Sequence, residues 1–174
     1  MYMKNIFLLG MPSSGKSTLG KNLAREIGYE FVDMDKRIEL REMLTIAEIF
    51  SLRGEEYFRK AESEVLQSLP ADAGLIVSTG GGVPCFHNNM DAIRERGVSV
   101  FLDVPPKMLA DRMMHTRKND RPLFPTDDAA TLLEELERKL NVRRAFYEQA
   151  DVTIEGETDV QTLLEVLRHL SVIA

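Results

Sequence analysis

The stretch Gly10-Met11-Pro12-Ser13-Ser14-Gly15-Lys16-Ser17-Thr18 decides the reading of this chain. It has the form G-x-x-x-x-G-K-[ST], in which the backbone N–H groups of a glycine-rich turn close around phosphate oxygens. The lysine of such a turn reaches the β- and γ-phosphates, and the hydroxyl that follows it sits on Mg²⁺. Here these are Lys16 and Ser17, with Gly10, Ser13, Ser14, Gly15 and Thr18 completing the candidate cradle for ATP phosphates. The context fits. Residues 6–9, Ile-Phe-Leu-Leu, read as a buried strand, and residues 16–27 have helical period, with Leu19, Leu23 and Ile27 on one stripe and Gly28 as the stop. A helix starting at Lys16 presents its positive end to the phosphates.

Outward from this motif, short apolar runs alternate with longer helical segments. Strands are expected at residues 29–32, 75–78, 98–102 and 152–154. Helices are expected across 34–69, with a break near Gly54, and at 89–96, 106–114, 128–149 and 160–170. The polar segment 115–127, which carries Pro122 and Pro125, reads as a mobile loop. Strands alternating with helices predict an α/β fold with a parallel sheet covered on both faces. In such sheets ligands bind at the carboxyl ends of the strands.

A chain of 174 residues predicts one domain spanning residues 1–174. A chain of this size buries roughly 70% of its unfolded surface and needs no staple. The formal charge of -6 argues against a general nucleic-acid binder. No stretch approaches the ~20 apolar residues of a membrane span. Cys85 is the single cysteine, so no intramolecular disulfide forms; it reads as a small buried hydrophobe in a reducing compartment. The three histidines, His87, His115 and His169, share no metal-ligand spacing, so no zinc site is expected. A cytoplasmic monomer is the expectation.

The motif defines a phosphate site but not the acceptor. A switch GTPase needs D-x-x-G and N-K-x-D, and neither string occurs. A motor or clamp ATPase carries an apolar strand ending in an acid, whereas the third strand here runs into Ser78-Thr79-Gly80-Gly81-Gly82. That leaves a kinase for a small acceptor. Asp33-Met34-Asp35 follows the second strand as a strand-like D-x-D, with one carboxylate available to a metal and one to an acceptor. The three glycines allow a ligand to approach the backbone and offer N–H donors. Arg59, Arg121 and Arg143 are the type of side chain that binds carboxylates and phosphates with two hydrogen bonds.

In order and approximate spacing, these motifs resemble the shikimate kinase family over nearly the whole chain. The resemblance rests on the P-loop, on Asp33 and Asp35, on Phe58-Arg59 with Glu62, on Thr79 to Gly82, on Arg121-Pro122-Leu123, and on Arg143 with Tyr147. It implies a nucleoside-monophosphate-kinase-like three-layer α/β/α fold with a five-stranded parallel sheet, an acceptor-binding segment at about 34–62 and a lid loop at about 115–127. It implies transfer of the ATP γ-phosphate to the 3-hydroxyl of shikimate, with one Mg²⁺ ion. Asp33 and Ser17 would serve the metal. Asp35 would hold the acceptor hydroxyl and act as base, Arg59 and Arg143 would bind the acceptor carboxylate, and Gly81 and Gly82 would contact the acceptor or the γ-phosphate. Arg121 would close over ATP, and with Lys16 and Asp35 it makes up the expected catalytic set. Met114 stands where many family members carry an adenine-covering arginine, which leaves that contact open between Arg112 and Arg117. The nearest alternative is another small-metabolite kinase of the same fold, such as a gluconate kinase. The intact Lys16, Asp35 and Arg121 argue against a non-catalytic nucleotide-binding module.

Overall fold

In a computed structural model, which describes residues 3–115 and 128–173, the chain folds around a parallel sheet. The strands are β1 (Asn5–Leu9), β2 (Glu30–Asp33), β3 (Leu75–Ser78), β4 (Gly97–Asp103) and β5 (Val152–Glu155), in the spatial order 2-3-1-4-5. The helices are α1 (Lys16–Ile27), α2 (Met34–Glu42), α3 (Ile46–Ser68), α4 (Asn89–Arg96), α5 (Pro106–His115), α6 (Ala129–Tyr147) and α7 (Val160–His169). A 3-10 turn, Val83–Cys85, lies between β3 and α4.

Alternation along β1 divides the core into two layers. Phe7 and Leu9 face one side, packed with Phe58, Val65 and Leu66 of α3, Ile93 of α4, Leu109 of α5, and Leu136 and Tyr147 of α6. Ile6 and Leu8 face the other side, against Leu19 and Leu23 of α1 and Leu163 and Leu167 of α7. The result is the expected three-layer α/β/α arrangement. β1 is buried throughout, which explains why it reads as a continuous apolar run rather than an alternating one.

Two details differ from the sequence expectation. The helical region 34–69 breaks at Gly54, as expected, but it is also interrupted earlier, after α2. Met43 leaves α2 in a left-handed conformation, and Thr45 then starts α3 with a capping box to Glu48. Further along, Gly54 kinks α3 at φ 82° and ψ 172°, a backbone region that only glycine enters readily. Also, Asp33-Met34-Asp35 is not strand-like throughout. Asp33 ends β2 and Met34 begins α2, so a strand-to-helix turn that buries Met34 in the core sets the two carboxylates apart, where a continued strand would put both on one face.

Ion pairs bolt α2 to α3. Arg41 pairs with Glu64, and Glu42 accepts from Arg53 and from the Tyr57 hydroxyl at 2.6 Å. These contacts fix the two helices that carry Asp35 and Arg59.

Candidate active site

A cleft of about 1300 Å³ opens at the carboxyl ends of β1, β2 and β3. Its nucleotide end is the turn between β1 and α1. Gly15 is the N-cap of α1 with φ 97°, and no side chain caps the helix, so the first-turn N–H groups remain available to an anion. No acid lies in that first turn. Lys16 is buried, and its Nζ donates to the carbonyls of Gly10 (2.9 Å) and Met11 (2.8 Å) and to Ser14 Oγ (3.3 Å). The ammonium is thus drawn across the turn, within the cradle that the motif predicts.

Beside it, Ser17 Oγ donates to Asp33 Oδ2 at 3.2 Å and shares a hydrogen bond with Ser78 Oγ at 3.1 Å. Asp33 and Ser78 are register partners at the ends of β2 and β3, which brings them to the same point. The other Asp33 oxygen, Oδ1, accepts from Lys36 N at 3.3 Å and caps α2. One carboxylate therefore serves both the helix and the cleft. The donor set suits Mg²⁺, which takes one or two protein oxygens and completes its shell with phosphate oxygens and water. Among the described residues no group of three or more His, Cys, Asp and Glu side chains could form a protein-only cage.

The acceptor end is built around the glycine turn 80–82. Thr79 anchors the turn to β1, its N–H and Oγ1 both donating to Leu8 O, at 3.2 and 3.0 Å. A Cβ on Gly80 would lie 2.8 Å from Glu62 Oε1 and 2.9 Å from Asp35 Oδ1, so two carboxylates occupy the space above it. Asp35 borders the open cleft, but its carboxyl sits within the wall. Burial, and then the charge of Asp33, push it up to about 6 against the pull of Lys16. Glu62 is also pushed up by burial, while Arg59 opposes the shift.

Arg59 is 4% exposed, donating to Glu62 Oε2 at 2.8 Å and to Glu55 Oε1 at 2.8 and 3.1 Å. Burial works against its charge, but the two glutamates more than offset this and its pKa is raised. Its guanidinium lies against Gly82, where a Cβ would stand 2.7 Å from Arg59 Cζ. That close approach is why the position needs glycine. Arg143, 8% exposed on α6, reaches the same turn from the other side, with Nη1 2.9 Å from where a Gly81 Cβ would be. Arg143 Nη1 meets Met11 Sδ at 3.9 Å, and among the described residues no acid forms an ion pair with it. A buried cation of this kind is costly unless an anion arrives to meet it.

Several contributors had no assigned role in the sequence reading. Tyr147, fully buried, donates its hydroxyl to Gly81 O at 2.5 Å and so fixes the glycine turn. It stands four residues after Arg143 on one face of α6, a spacing that could have signalled a shared role. Glu62 stands three residues after Arg59 on α3 for the same reason. Ser78 carried no signal beyond its place at the end of β3. Cys85 is only half-buried, and burial pushes its thiol up to about 11, which leaves it a poor nucleophile.

At the nucleotide end, Arg112 on α5 donates to Ser13 O at 3.1 Å and pairs with Glu157 at 2.5 Å. It therefore bridges the phosphate turn to the loop between β5 and α7, whose residues 156–159 line the cleft together with Val160 and Gln161 at the start of α7. Met114 is 42% exposed. Arg117, Arg121 and the lid loop from residue 116 on lie outside the described residues. Among the described residues, no helix is long and apolar enough to cross a membrane.

A P-loop at one end of the cleft and an arginine-walled recess at the other, on a 2-3-1-4-5 parallel sheet, define a P-loop kinase for a small anionic molecule. The comparisons with known proteins agree. The shikimate kinase family matches residues 12–171. A shikimate kinase of Bacteroides fragilis is 39% identical over 97% of this chain and 96% of its own length. One from Clostridium botulinum is 36% identical over 95% of each chain. The solved shikimate kinase of Acinetobacter baumannii, in complex with shikimate, superposes with a TM-score of 0.86 at 32% identity, covering 97% of this chain and 94% of that one. The chain belongs to the shikimate kinase family, whose members are ATP-dependent phosphotransferases.

Proposed function

We propose that this cleft transfers the γ-phosphoryl group of ATP to the 3-hydroxyl of shikimate, giving shikimate 3-phosphate. The observation that carries the reading is the placement of Arg59 and Arg143 on either side of the Gly81–Gly82 turn, with the Asp35 carboxyl above the adjoining Gly80. Two guanidinium groups suit one carboxylate, and a carboxyl poised near 6 suits a hydroxyl.

Phosphoryl transfer depends on positioning and on neutralising charge more than on covalent help from the protein. Arg59 and Arg143 hold the acceptor carboxylate, which orients the ring so that one hydroxyl faces the phosphate turn. Asp35 accepts the hydrogen bond of that hydroxyl and takes its proton as the oxygen attacks. Lys16 and the N–H groups at the start of α1 bind the β- and γ-phosphate oxygens. Ser17 and Asp33 would hold Mg²⁺, which when bound neutralises charge on the β- and γ-phosphates. Arg121 adds positive charge over ATP, and the lid excludes water as a competing acceptor. The raised value of Asp35 has a chemical use, since a base near 6 drives proton removal better than one near 4 while remaining mostly ionised at neutral pH.

The test is ATP turnover with Mg²⁺ in a coupled assay, with shikimate, with gluconate and with neither. Turnover that depends on shikimate supports the proposal. Equal rates with and without shikimate, or turnover driven by gluconate alone, overturn it.

A further inference from the structure

Arg59, which lines the acceptor recess, has an aromatic neighbour that the mechanism above does not use. The Phe86 ring lies over the Arg59 guanidinium, with Cζ 4.5 Å from the ring centroid, closer than the 5.3 Å to Phe58. Phe86 follows the 3-10 turn and is 38% exposed. The segment that carries it is tightly fastened. Val83 N donates to Gly80 O (3.1 Å), Cys85 N to Gly82 O (2.9 Å), Asn89 N to Phe86 O (3.0 Å) and the buried Asn89 Nδ2 to Val83 O (2.8 Å). His87 and Asn88 then both adopt left-handed backbone, at φ 50° and 53°. Two consecutive non-glycine residues in that region are unusual, and strain of this kind tends to accompany functional sites.

We propose that Phe86 is a positioning residue for the acceptor: its ring backs the Arg59 guanidinium and holds it in place for a small carboxylate. The inference rests on the reading of Arg59 as a carboxylate-binding group. Its physical point is the neutrality of the ring. Glu55 and Glu62 grip Arg59 through its N–H groups, and each reduces the positive charge left for a ligand. A third acid would discharge the cation. An aromatic face attracts the cation through its quadrupole without neutralising it, and it keeps water from that side. The ring therefore sets the plane of the guanidinium, and that plane governs whether two parallel hydrogen bonds to a carboxylate can form.

The experiment compares Phe86→Leu with Phe86→Tyr in the full chain, measuring KM for shikimate, KM for ATP and kcat. Leucine fills similar space without a π face, while tyrosine keeps one. The expected result is a rise of about three- to tenfold in KM for shikimate in Phe86→Leu, with Phe86→Tyr close to the wild type. KM for ATP stays constant in both, which also shows that the variants fold. A KM for shikimate in Phe86→Leu matching the wild type, or an equal rise in both variants, overturns the proposal. Arg59→Lys separates the two levels of the argument. If it leaves KM for shikimate unchanged, the reading of Arg59 falls and the role of Phe86 falls with it. If it raises KM strongly while Phe86→Leu does nothing, only the stacking role falls.

Discussion

The raised pKa of Asp35 makes a quantitative claim about pH. If Asp35 must be ionised to accept the proton of the hydroxyl, activity falls as the pH drops through its native value of about 6. The ionised fraction is about 91% at pH 7 and about 9% at pH 5, so kcat/KM drops about tenfold between them. With the usual 3.8 the carboxyl would stay about 94% ionised at pH 5, and the rate would barely change. Initial rates at limiting shikimate and ATP give the profile of the free enzyme. Asp35→Asn is the control, because the ionisation of ATP and of Glu62 persists in it while that of Asp35 does not. An acid limb centred near 4, or an identical limb in Asp35→Asn, would refute the reasoning. Stability gives a second readout with a fixed sign. Between 3.8 and about 6 the folded protein binds more protons at this site than the unfolded chain does. The contribution of Asp35 is therefore fully present at low pH and lost as the pH rises through about 6. Asp35→Asn should resist thermal unfolding better than the wild type above that pH while being nearly inactive.

Three further substitutions probe other parts of the site. Gly82→Ala places a Cβ 2.7 Å from Arg59 Cζ, so Arg59 must move; steady-state kinetics should show KM for shikimate rising by about tenfold or more with KM for ATP unchanged. Arg143→Met removes a buried cation that meets the ligand, and titration calorimetry should show shikimate binding weakened by about 10- to 100-fold, the worth of one charged hydrogen bond. Tyr147→Phe loses the hydroxyl bond to Gly81 O, which costs about 1 kcal/mol and lowers Tm by about 2–4 °C in a chain of this length.

Much of the fold was legible because its signals are local. The run at residues 6–9 and the stripe of Leu19, Leu23 and Ile27 mark β1 and α1 without help from the rest of the chain. Gly28 and Gly97 close α1 and α4 as expected, although Gly97 also opens β4. The interruption after Met43 was missed although Thr45-Ile46-Ala47-Glu48 carries the local signature of a helix start, because the helical period runs on through it. It has no glycine or proline, and the chain turns through a left-handed Met43 into the capping box at Thr45. The strand-like reading of Asp33 and Asp35 failed for a related reason, since the burial of Met34 decides where the strand stops.

At the site, the phosphate turn was readable as a contiguous motif, and so were the residue types around the glycine turn. Their mutual arrangement was not. The meeting of Ser17 with Asp33 and Ser78 depends on the register of β2 against β3, and the contact of Phe86 with Arg59 depends on two left-handed residues. Arg112 could be named from its neighbourhood, but its pairing with Glu157 follows from the approach of α5 to the loop after β5.

The central claim is that this cleft phosphorylates shikimate on one particular hydroxyl. Phosphorus NMR of the product formed from Mg²⁺-ATP and shikimate tests it most directly. The account predicts one phosphate monoester resonance coupled to the proton at carbon 3. An ester on a different hydroxyl, or ADP and inorganic phosphate with no ester, would contradict it.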